Sequence, residues 1–152
     1  MIREVRKDDL HGLLELYLHL HESSIPEMSS HLINTWDKII GNGDYHIIVA
    51  EEDGMIVSSC TVIIVPNLTR NASSYALVEN VVTHEKYRGK GLASVCLEYA
   101  NRLAIEADCY KMMLITGSEN PKTHEFYKNA GYFSEGKTAY YKLLKEVAWI
   151  HQ

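Results

Sequence analysis

The spacing of apolar residues predicts two amphipathic helices in the first part of the chain. Apolar side chains recur every three or four positions from residue 8 or 9 to about residue 20. The same spacing returns from residue 29 or 30 to residue 40, again behind a residue type that caps helices. A Ser-Ser-Ile-Pro-Glu break at residues 23–27 separates the two helices.

Strand patterns dominate the middle of the chain. Residues 1–6 alternate enough to predict a short first strand, and residues 45–51 are rich in β-branched side chains. The Asp-Gly pair that follows predicts a hairpin into a strand at residues 55–65. A polar loop at residues 66–73 then leads to a further strand at residues 75–83.

A helix at residues 92–107 connects two of the predicted strands. It follows the strand at residues 75–83 and precedes a strand at residues 110–115. A strand–helix–strand crossover of this kind implies that the two strands pair in parallel.

The end of the chain predicts one more helix and a closing hairpin. The helix covers residues 120–130, with Gly131 at its C-terminal end. Residues 132–134 and 138–144 predict an antiparallel pair. We therefore expect one α/β domain over residues 1–152, with a mixed, mostly antiparallel sheet, one parallel crossover and helices on both faces.

Composition and charge narrow the classes of function. The chain is 46% hydrophobic and has a formal net charge of -5, which argues against a dedicated nucleic-acid-binding protein. Cys60, Cys96 and Cys109 lie in apolar runs, so we expect reduced thiols in a cytoplasmic protein. We expect no signal peptide and no membrane span. We expect no metal site, because His19 and His21 would point apart on a helix.

A glycine-rich turn between the strand at residues 75–83 and the following helix is the strongest candidate for a ligand site. The first N–H groups of a helix have no intrahelical partner, and the helix dipole adds positive charge there, so this end favours a phosphate. Glycines let a ligand approach the backbone, and the basic residues add mobile positive charge. The predicted pyrophosphate site consists of Arg88, Gly89, Lys90, Gly91, Leu92, Ala93 and Ser94.

The same turn is compatible with a simpler role, since an ordinary glycine turn before a helix needs no ligand. Two other phosphate-binding patterns fit it poorly. A dinucleotide-binding fold requires G-x-G-x-x-G directly after its strand, but Ser94 replaces the third glycine and residues 84–87 separate strand from turn. The Walker A motif of P-loop nucleoside triphosphatases, G-x-x-x-x-G-K-[ST], is absent from the sequence.

Two blocks of the sequence resemble the GNAT superfamily of N-acetyltransferases. In the run at residues 81–93, Arg88, Gly91 and Ala93 occupy the defined positions of its acetyl-CoA signature, Gln/Arg-x-x-Gly-x-Gly/Ala. Residues 120–132 resemble the later helix of that family, with its Phe-Tyr and Gly-aromatic pairs.

This resemblance implies the GNAT fold and a direct transfer of an acetyl group from acetyl-CoA to a primary amine, without an acyl-enzyme. The backbone groups of Val81 and Val82 would bind the pantetheine arm. Asn120 would bind the same arm, or only cap its helix. Tyr127 would be the general acid for the thiolate, the alternative being a tyrosine of the core.

Glu79 is the candidate general base, acting through a water molecule. It is a carboxylate within the otherwise apolar strand at residues 76–82, where partial burial would raise its pKa. The alternative is a carboxylate at the rim of the sheet. Strand alternation predicts that Asn80 faces the opposite side.

The acceptor amine is not identified by the sequence. Glu-Asn-Val-Val at residues 79–82 and Cys-Tyr-Lys at residues 109–111 resemble the glucosamine-6-phosphate N-acetyltransferases. Residues 115–118, Ile-Thr-Gly-Ser, lack the acidic residue of those enzymes, and the insert before Phe126 is longer. That substrate is therefore not assigned, and a protein N-terminus or lysine stays an alternative.

We expect residues 18–30 and 66–73 to build the acceptor pocket. The apolar tail at residues 146–150 predicts a homodimer. Two further interpretations stay open: a non-catalytic acyl-CoA-binding or sensing domain on the same fold, and an unrelated phosphate-ester-binding protein.

Overall fold

The computed structural model describes residues 1–20 and 22–147, in two compact units that divide after Leu114. The first unit contains a sheet of five strands and the helices that cover it. The strands are β1 (Ile2–Glu4), β2 (Tyr45–Glu52), β3 (Met55–Val65), β4 (Ser74–Thr83) and β5 (Cys109–Met113). The helices of both units are α1 (Leu10–Tyr17), α2 (Ser30–Ile40), the single turn α3 (Thr69–Ala72), α4 (Leu92–Glu106) and α5 (Pro121–Asn129).

The sheet has the strand order β1-β2-β3-β4-β5. The first four strands pair antiparallel, and β4 pairs with β5 in parallel. Helix α4 makes the crossover between β4 and β5. The predicted mixed sheet with one parallel pair is therefore confirmed.

Helices α1 and α2 cover one face of the sheet because each buries an apolar stripe there. Leu13 and Leu16 of α1 and Trp36 of α2 are buried in one cluster with Ile47 and other residues of the sheet. The indole Nε1 of Trp36 also donates a hydrogen bond to the carbonyl oxygen of Lys7, at 2.9 Å. This bond ties α2 to the segment that precedes α1.

Helix α4 covers the opposite face. Its four buried residues lie on one side of the helix: Cys96, Leu97, Ala100 and Ala104. They lie on the side of the sheet that carries the fully buried Cys60, whose pKa is raised by burial and then by the neighbouring Cys96. The sheet therefore lies between apolar helix surfaces and buries both of its faces, in three layers.

Most predicted element boundaries agree with the structure to within one or two residues. Ser29 is the N-cap of α2, where its hydroxyl accepts a hydrogen bond from the N–H of Leu32 at 3.1 Å. Helix α1 is shorter than predicted, because residues 7–9 form a 3₁₀ turn and residues 18–20 form a turn rather than helix.

The predicted closing hairpin is wrong. Residues 132–147 contain no strand, and the large side chains of Phe133, Tyr140 and Leu144 are more than four-fifths exposed, at 83%, 91% and 87%. A strand needs a hydrogen-bonding partner, and apolar alternation alone does not supply one. The predicted dimer-forming tail lies outside the described residues from position 148 onward.

The second unit is organised around α5. The side chain of Asn120 caps this helix by accepting a hydrogen bond from the N–H of Lys122, at 3.0 Å. Gly131 follows the helix with a φ of 93°, the left-handed conformation that commonly ends helices. Within residues 1–20 and 22–147, no helix is long and apolar enough to span a bilayer.

The burial of Trp36 makes it a test of how α2 is held. We expect Trp36→Ala to lower the free energy of unfolding by about 3–5 kcal/mol, because it removes a buried aromatic ring and leaves a cavity. Ile33→Ala on the same helix is the control. Ile33 is 41% exposed, so the loss there should be about 1 kcal/mol or less. Chemical denaturation of both variants measures the difference, and equal losses would contradict this packing.

Candidate active site

The turn between β4 and α4 presents a row of unpaired backbone N–H groups. The first helical hydrogen bond of α4 runs from the N–H of Val95 to the carbonyl of Gly91, at 3.1 Å. Among the described residues, the N–H groups from Gly89 to Ser94 have no hydrogen-bond partner, and no side chain caps the helix. A helix start left open in this way can bind an anionic ligand through its backbone.

Gly89 and Gly91 are required by the backbone of this turn rather than by crowding. Their φ angles are 78° and 77°, and a Cβ atom at either position would meet nothing within 4 Å. Left-handed backbone costs other L-residues about 1–2 kcal/mol each, so glycine is the residue that allows the turn to form. The open space beside both Cα atoms leaves the backbone accessible to a ligand.

The basic side chains of the turn are held by neighbours. The ammonium group of Lys90 lies 4.7 Å from the centre of the Tyr87 ring and 4.0 Å from a carboxylate oxygen of Glu52. The Nε of Arg88 donates to the carbonyl of Thr83 at 3.1 Å. Both cations therefore have a partner beside the turn, and their role as mobile charge for a ligand stays a prediction.

A β-bulge in β4 determines where Glu79 points. Glu79 lies opposite Thr61 of β3 and Val82 lies opposite Ser59, so two residues of β4 face one residue of β3. At the bulge, Asn80 has a φ of 51°. Residues three apart on a regular strand point to opposite faces, but the extra residue places Glu79 and Val82 on the same face.

The predicted opposition of Glu79 and Asn80 is wrong for the same reason. Asn80 lines a cavity of about 140 Å³ between the sheet and helices α1 and α2, together with Tyr17 and Tyr45. The charge of Glu79 acts on the same Tyr45. The left-handed backbone at Asn80 thus brings both polar side chains to the side of the sheet that α1 and α2 cover.

Glu79 is exposed, so the expectation of partial burial is also wrong. The pairing of β4 with β5 reaches Leu77, opposite Met113, and extends no further among the described residues. Glu79 therefore lies just beyond the last paired position, at an open edge. A carboxylate in such a place has access to water and to a ligand.

The open edge of β4 includes the predicted pantetheine-binding residues. Val81 and Val82 lie between the last pair with β5 and the end of β4 at Thr83. An extended ligand can hydrogen-bond to a strand edge of this kind as an added strand would. The edge leads from Glu79 toward the turn that opens α4.

Sequence reasoning missed two tyrosines near Glu79. Burial is the main cause that raises the pKa of Tyr17 to about 12 and that of Tyr45 above its usual value, and the charge of Glu79 adds to the effect on Tyr45. Tyrosine is protonated at neutral pH even without such a shift, so both phenols can donate hydrogen bonds. In the apolar pattern both tyrosines look like core residues, and only the structure shows that they line the same cavity as Asn80.

Tyr127 and Asn120 belong to the second unit. Tyr127 is half-buried on α5, with its ring centre 5.1 Å from that of Phe126 and 6.0 Å from that of Tyr132. The cap at Lys122 bears out one of the two roles considered for Asn120, and its role toward a coenzyme stays a prediction.

Two histidine rings lie against each other where β4 ends. The rings of His19 and His84 have centres 4.1 Å apart, and Nδ1 of His84 accepts a hydrogen bond from the N–H of Lys86 at 3.2 Å. Burial, followed by the neighbouring His19, lowers the pKa of His84. Within the described part of the chain, no group of three His, Cys, Asp or Glu side chains is arranged to hold a metal ion.

Comparison with known proteins shows which family this chain is similar to. The sequence model of the acetyltransferase (GNAT) family matches residues 10–132. A glucosamine 6-phosphate N-acetyltransferase of Trypanosoma brucei brucei is 29% identical over 132 residues, which cover 86% of this chain and 87% of that protein.

Solved structures agree with this match. An inferred acetyltransferase from Agrobacterium tumefaciens str. C58 is 40% identical with a TM-score of 0.85, covering 94% of this chain and 99% of the other. The glucosamine-6-phosphate N-acetyltransferase of Arabidopsis thaliana is 25% identical with a TM-score of 0.82, covering 95% and 98%.

The conformation of Gly91 can be tested by adding one methyl group. We expect Gly91→Ala to weaken the binding of coenzyme A by about tenfold, because left-handed backbone at alanine costs about 1–2 kcal/mol and distorts the turn. Gly117→Ala is the matched control, since Gly117 lacks a left-handed φ and also has open space at its Cβ position. Titration calorimetry with coenzyme A measures both. Unchanged affinity of Gly91→Ala would contradict binding by this turn.

The stacked histidines predict a pH effect on stability. Because the folded protein lowers the pKa of His84 below its ordinary value of 6.5, the unfolded chain binds the proton more readily. Stability should therefore fall as the pH drops below about 6.5. His19→Phe keeps a ring but removes one cause, so its melting temperature should fall less between pH 7.5 and 5.5. His31→Phe, at an exposed position of α2, should behave like the unmodified protein.

Proposed function

The chain belongs to the GNAT family of acetyltransferases, and from this premise we propose that it transfers the acetyl group of acetyl-CoA to the amine of an amino-sugar phosphate. The observation that carries the proposal is the open amide row at the start of α4, next to a strand whose bulge presents Glu79. The first feature suits the diphosphate of the co-substrate. The second suits proton removal from an attacking amine.

The co-substrate would lie along β4. Its diphosphate would accept hydrogen bonds from the N–H groups between Gly89 and Ser94, where the helix dipole also favours negative charge. Its pantetheine arm would pair with the backbone of Val81 and Val82 at the open edge of the strand. This arrangement would bring the thioester near the bulge, within reach of Glu79.

The proton balance of the reaction assigns two roles. The amine nitrogen forms a bond to the acetyl carbonyl carbon, and the carbon–sulfur bond breaks. Glu79 accepts the proton that the amine loses, through a water molecule that its exposed position allows. Tyr127 donates a proton to the departing thiolate, which the motif at Phe126 and Tyr127 supports.

The cysteines of the first unit support direct attack rather than an acyl-enzyme. Cys60 and Cys96 are fully buried, and burial raises the pKa of both thiols, that of Cys96 to about 11. Burial also raises the pKa of Cys109. Nucleophilic sulfur requires the thiolate, which these environments disfavour.

Two observations support the amino-sugar phosphate as acceptor. Two of the three relatives described above are named glucosamine 6-phosphate N-acetyltransferases, and the stretches at residues 79–82 and 109–111 resemble those enzymes. Residues 115–118 depart from them by lacking an acidic residue. An assay with several amines therefore has to include aminoglycosides and peptides as alternatives.

The domain organisation, cellular location and oligomeric state of the protein are further proposals. We propose that residues 1–152 act as a single domain and that the protein is cytoplasmic, without nucleic-acid or membrane partners. We also propose a homodimer through the apolar tail at residues 146–150. Light scattering tests the dimer, and a purely monomeric protein would remove that idea.

The two proton-transfer roles can be tested together. We expect Glu79→Gln and Tyr127→Phe each to lower kcat by about 10²- to 10⁴-fold, the usual contribution of general acid–base catalysis, while the affinity for acetyl-CoA changes little. The release of free thiol with a panel of amines measures turnover, and calorimetry measures affinity.

Glu98→Gln is the matched control for charge removal, since Glu98 is exposed on α4. It should leave both quantities unchanged. Full activity in Glu79→Gln and Tyr127→Phe would show that the roles are assigned to the wrong residues. Binding of acetyl-CoA without thiol release from any amine would favour a sensing domain over an enzyme.

A further inference from the structure

The buried polar residues of the protein are concentrated in one strand. Within residues 1–20 and 22–147, they all lie in β3, at Ser58, Ser59 and Thr61, and each is 0% exposed. A buried hydroxyl destabilises a fold unless it finds hydrogen-bond partners. All three residues pair with the part of β4 that contains the bulge and leads to the glycine turn. The partners of each hydroxyl therefore show what it holds in place.

The hydroxyl of Ser58 has partners on two other elements. It donates a hydrogen bond to the carbonyl oxygen of Val82 at 3.1 Å, and it lies 2.8 Å from the hydroxyl oxygen of Thr83. Its third partner is Cys96 of α4: burial raises the pKa of that thiol to about 11, and a hydrogen bond with Ser58 lowers it in part. A hydroxyl has one proton to donate and two lone pairs that accept. These three partners use that capacity fully.

The other two hydroxyls of β3 serve different parts of the fold. Ser59 donates to the carbonyl oxygen of Ile48 in β2, at 2.8 Å. Thr61 interacts with Tyr17 of α1. Successive residues of a strand point to opposite faces of the sheet, so Ser58 faces α4 whereas Ser59 and Thr61 face the other way. Ser58 is thus the buried hydroxyl of β3 that contacts both β4 and α4.

The partners of Ser58 lie on both sides of the glycine turn. Thr83 is the last residue of β4, and Cys96 lies in the second turn of α4, with residues 84–91 connecting the two elements. The turn adds a bond to the same point, because the Nε of Arg88 donates to the carbonyl oxygen of Thr83 at 3.1 Å. Ser58 therefore joins, at one buried point, the two elements between which the open amide row lies.

The direction of the open amide row depends on how β4 and α4 are fixed to each other. Among the described residues, the N–H groups from Gly89 to Ser94 have no hydrogen-bond partner that would orient them. A buried polar network whose members are all satisfied rigidifies the structure around it and selects one arrangement. Groups that are already held in the bound arrangement bind a ligand without a further loss of conformational freedom.

We propose that Ser58 is a positioning residue for the diphosphate of the coenzyme, because it fixes the end of β4 against α4 and so aims the amide row between them. This role rests on the proposed function, in which that row binds acetyl-CoA. Ser58 is fully buried, so it acts through Thr83 and Cys96 rather than by touching the coenzyme. Nothing in the packing of an apolar strand face requires a hydroxyl at this position.

The test compares coenzyme A with pantetheine, which lacks the diphosphate. We expect Ser58→Ala to lower the affinity for coenzyme A by about tenfold and that for pantetheine by less than about twofold, as the loss of one buried hydrogen-bond partner implies. Calorimetry measures coenzyme A, and competition with coenzyme A measures pantetheine. Ser59→Ala is the matched control, since it removes an equally buried hydroxyl whose bond leads to β2. Its ratio of the two affinities should equal that of the unmodified protein.

Thr83 offers a second pair of variants that keep the core intact. Thr83→Val removes the hydroxyl and retains the shape of the side chain, whereas Thr83→Ser retains the hydroxyl. We expect Thr83→Val to weaken the binding of coenzyme A by about 2- to 10-fold, the usual net contribution of one hydrogen bond, and Thr83→Ser to restore it. This pair decides the question if Ser58→Ala does not fold.

Three results would overturn this role of Ser58. An equal loss of affinity for coenzyme A and pantetheine in Ser58→Ala would show a general loosening of the fold. The same change of ratio in Ser59→Ala would show that any buried hydroxyl of β3 has this effect. An unchanged affinity for coenzyme A in Thr83→Val would show that the bridge to β4 does not aim the amide row.

Failure of the proposed function gives a different set of results. If the unmodified protein binds coenzyme A no more tightly than pantetheine, the amide row does not hold the diphosphate, and both proposals fail. If coenzyme A is preferred and Ser58→Ala reduces that preference while no amine releases thiol, only the transferase activity fails. The positioning role of Ser58 would then stand for a protein that binds the coenzyme.

Discussion

The irregular backbone of β4 at Asn80 is the constraint on which the site depends. A regular strand alternates its side chains, so a residue that anchors the core at Val82 would turn Glu79 to the other face. The bulge opposite β3 removes this conflict by adding one residue. One strand thereby contributes to the core under α1 and α2 and presents a carboxylate at an open edge, close to where its pairing with β5 ends.

The protein uses its backbone to provide positive potential despite an acidic composition. At the start of α4, unpaired N–H groups and the helix dipole attract an anion without needing free basic side chains, and Lys90 is already held by Tyr87 and Glu52.

Strained backbone and buried core occupy different parts of the molecule. The regular parts of β2 and β3 and the inner sides of α1, α2 and α4 form the buried core, whereas left-handed residues other than glycine occur at turns and at the bulge. Each such residue costs about 1–2 kcal/mol, and packing of the regular elements offsets that cost. The irregular positions are therefore tolerated only because the elements beside them are well packed.

The sequence by itself determined the order and type of most elements, the crossover and the glycine turn, because each of these depends on local spacing and on residues close together in the chain. It also carried the family resemblance. Only the tertiary structure decided that Asn80 and Glu79 share a side, that Glu79 is exposed, and that Arg70 lies over the ring of Tyr110. These features depend on strand register and on where pairing stops, which arise from contacts between distant residues. The wrongly predicted hairpin has the same origin, since alternation after Gly131 indicates a strand but cannot provide its partner.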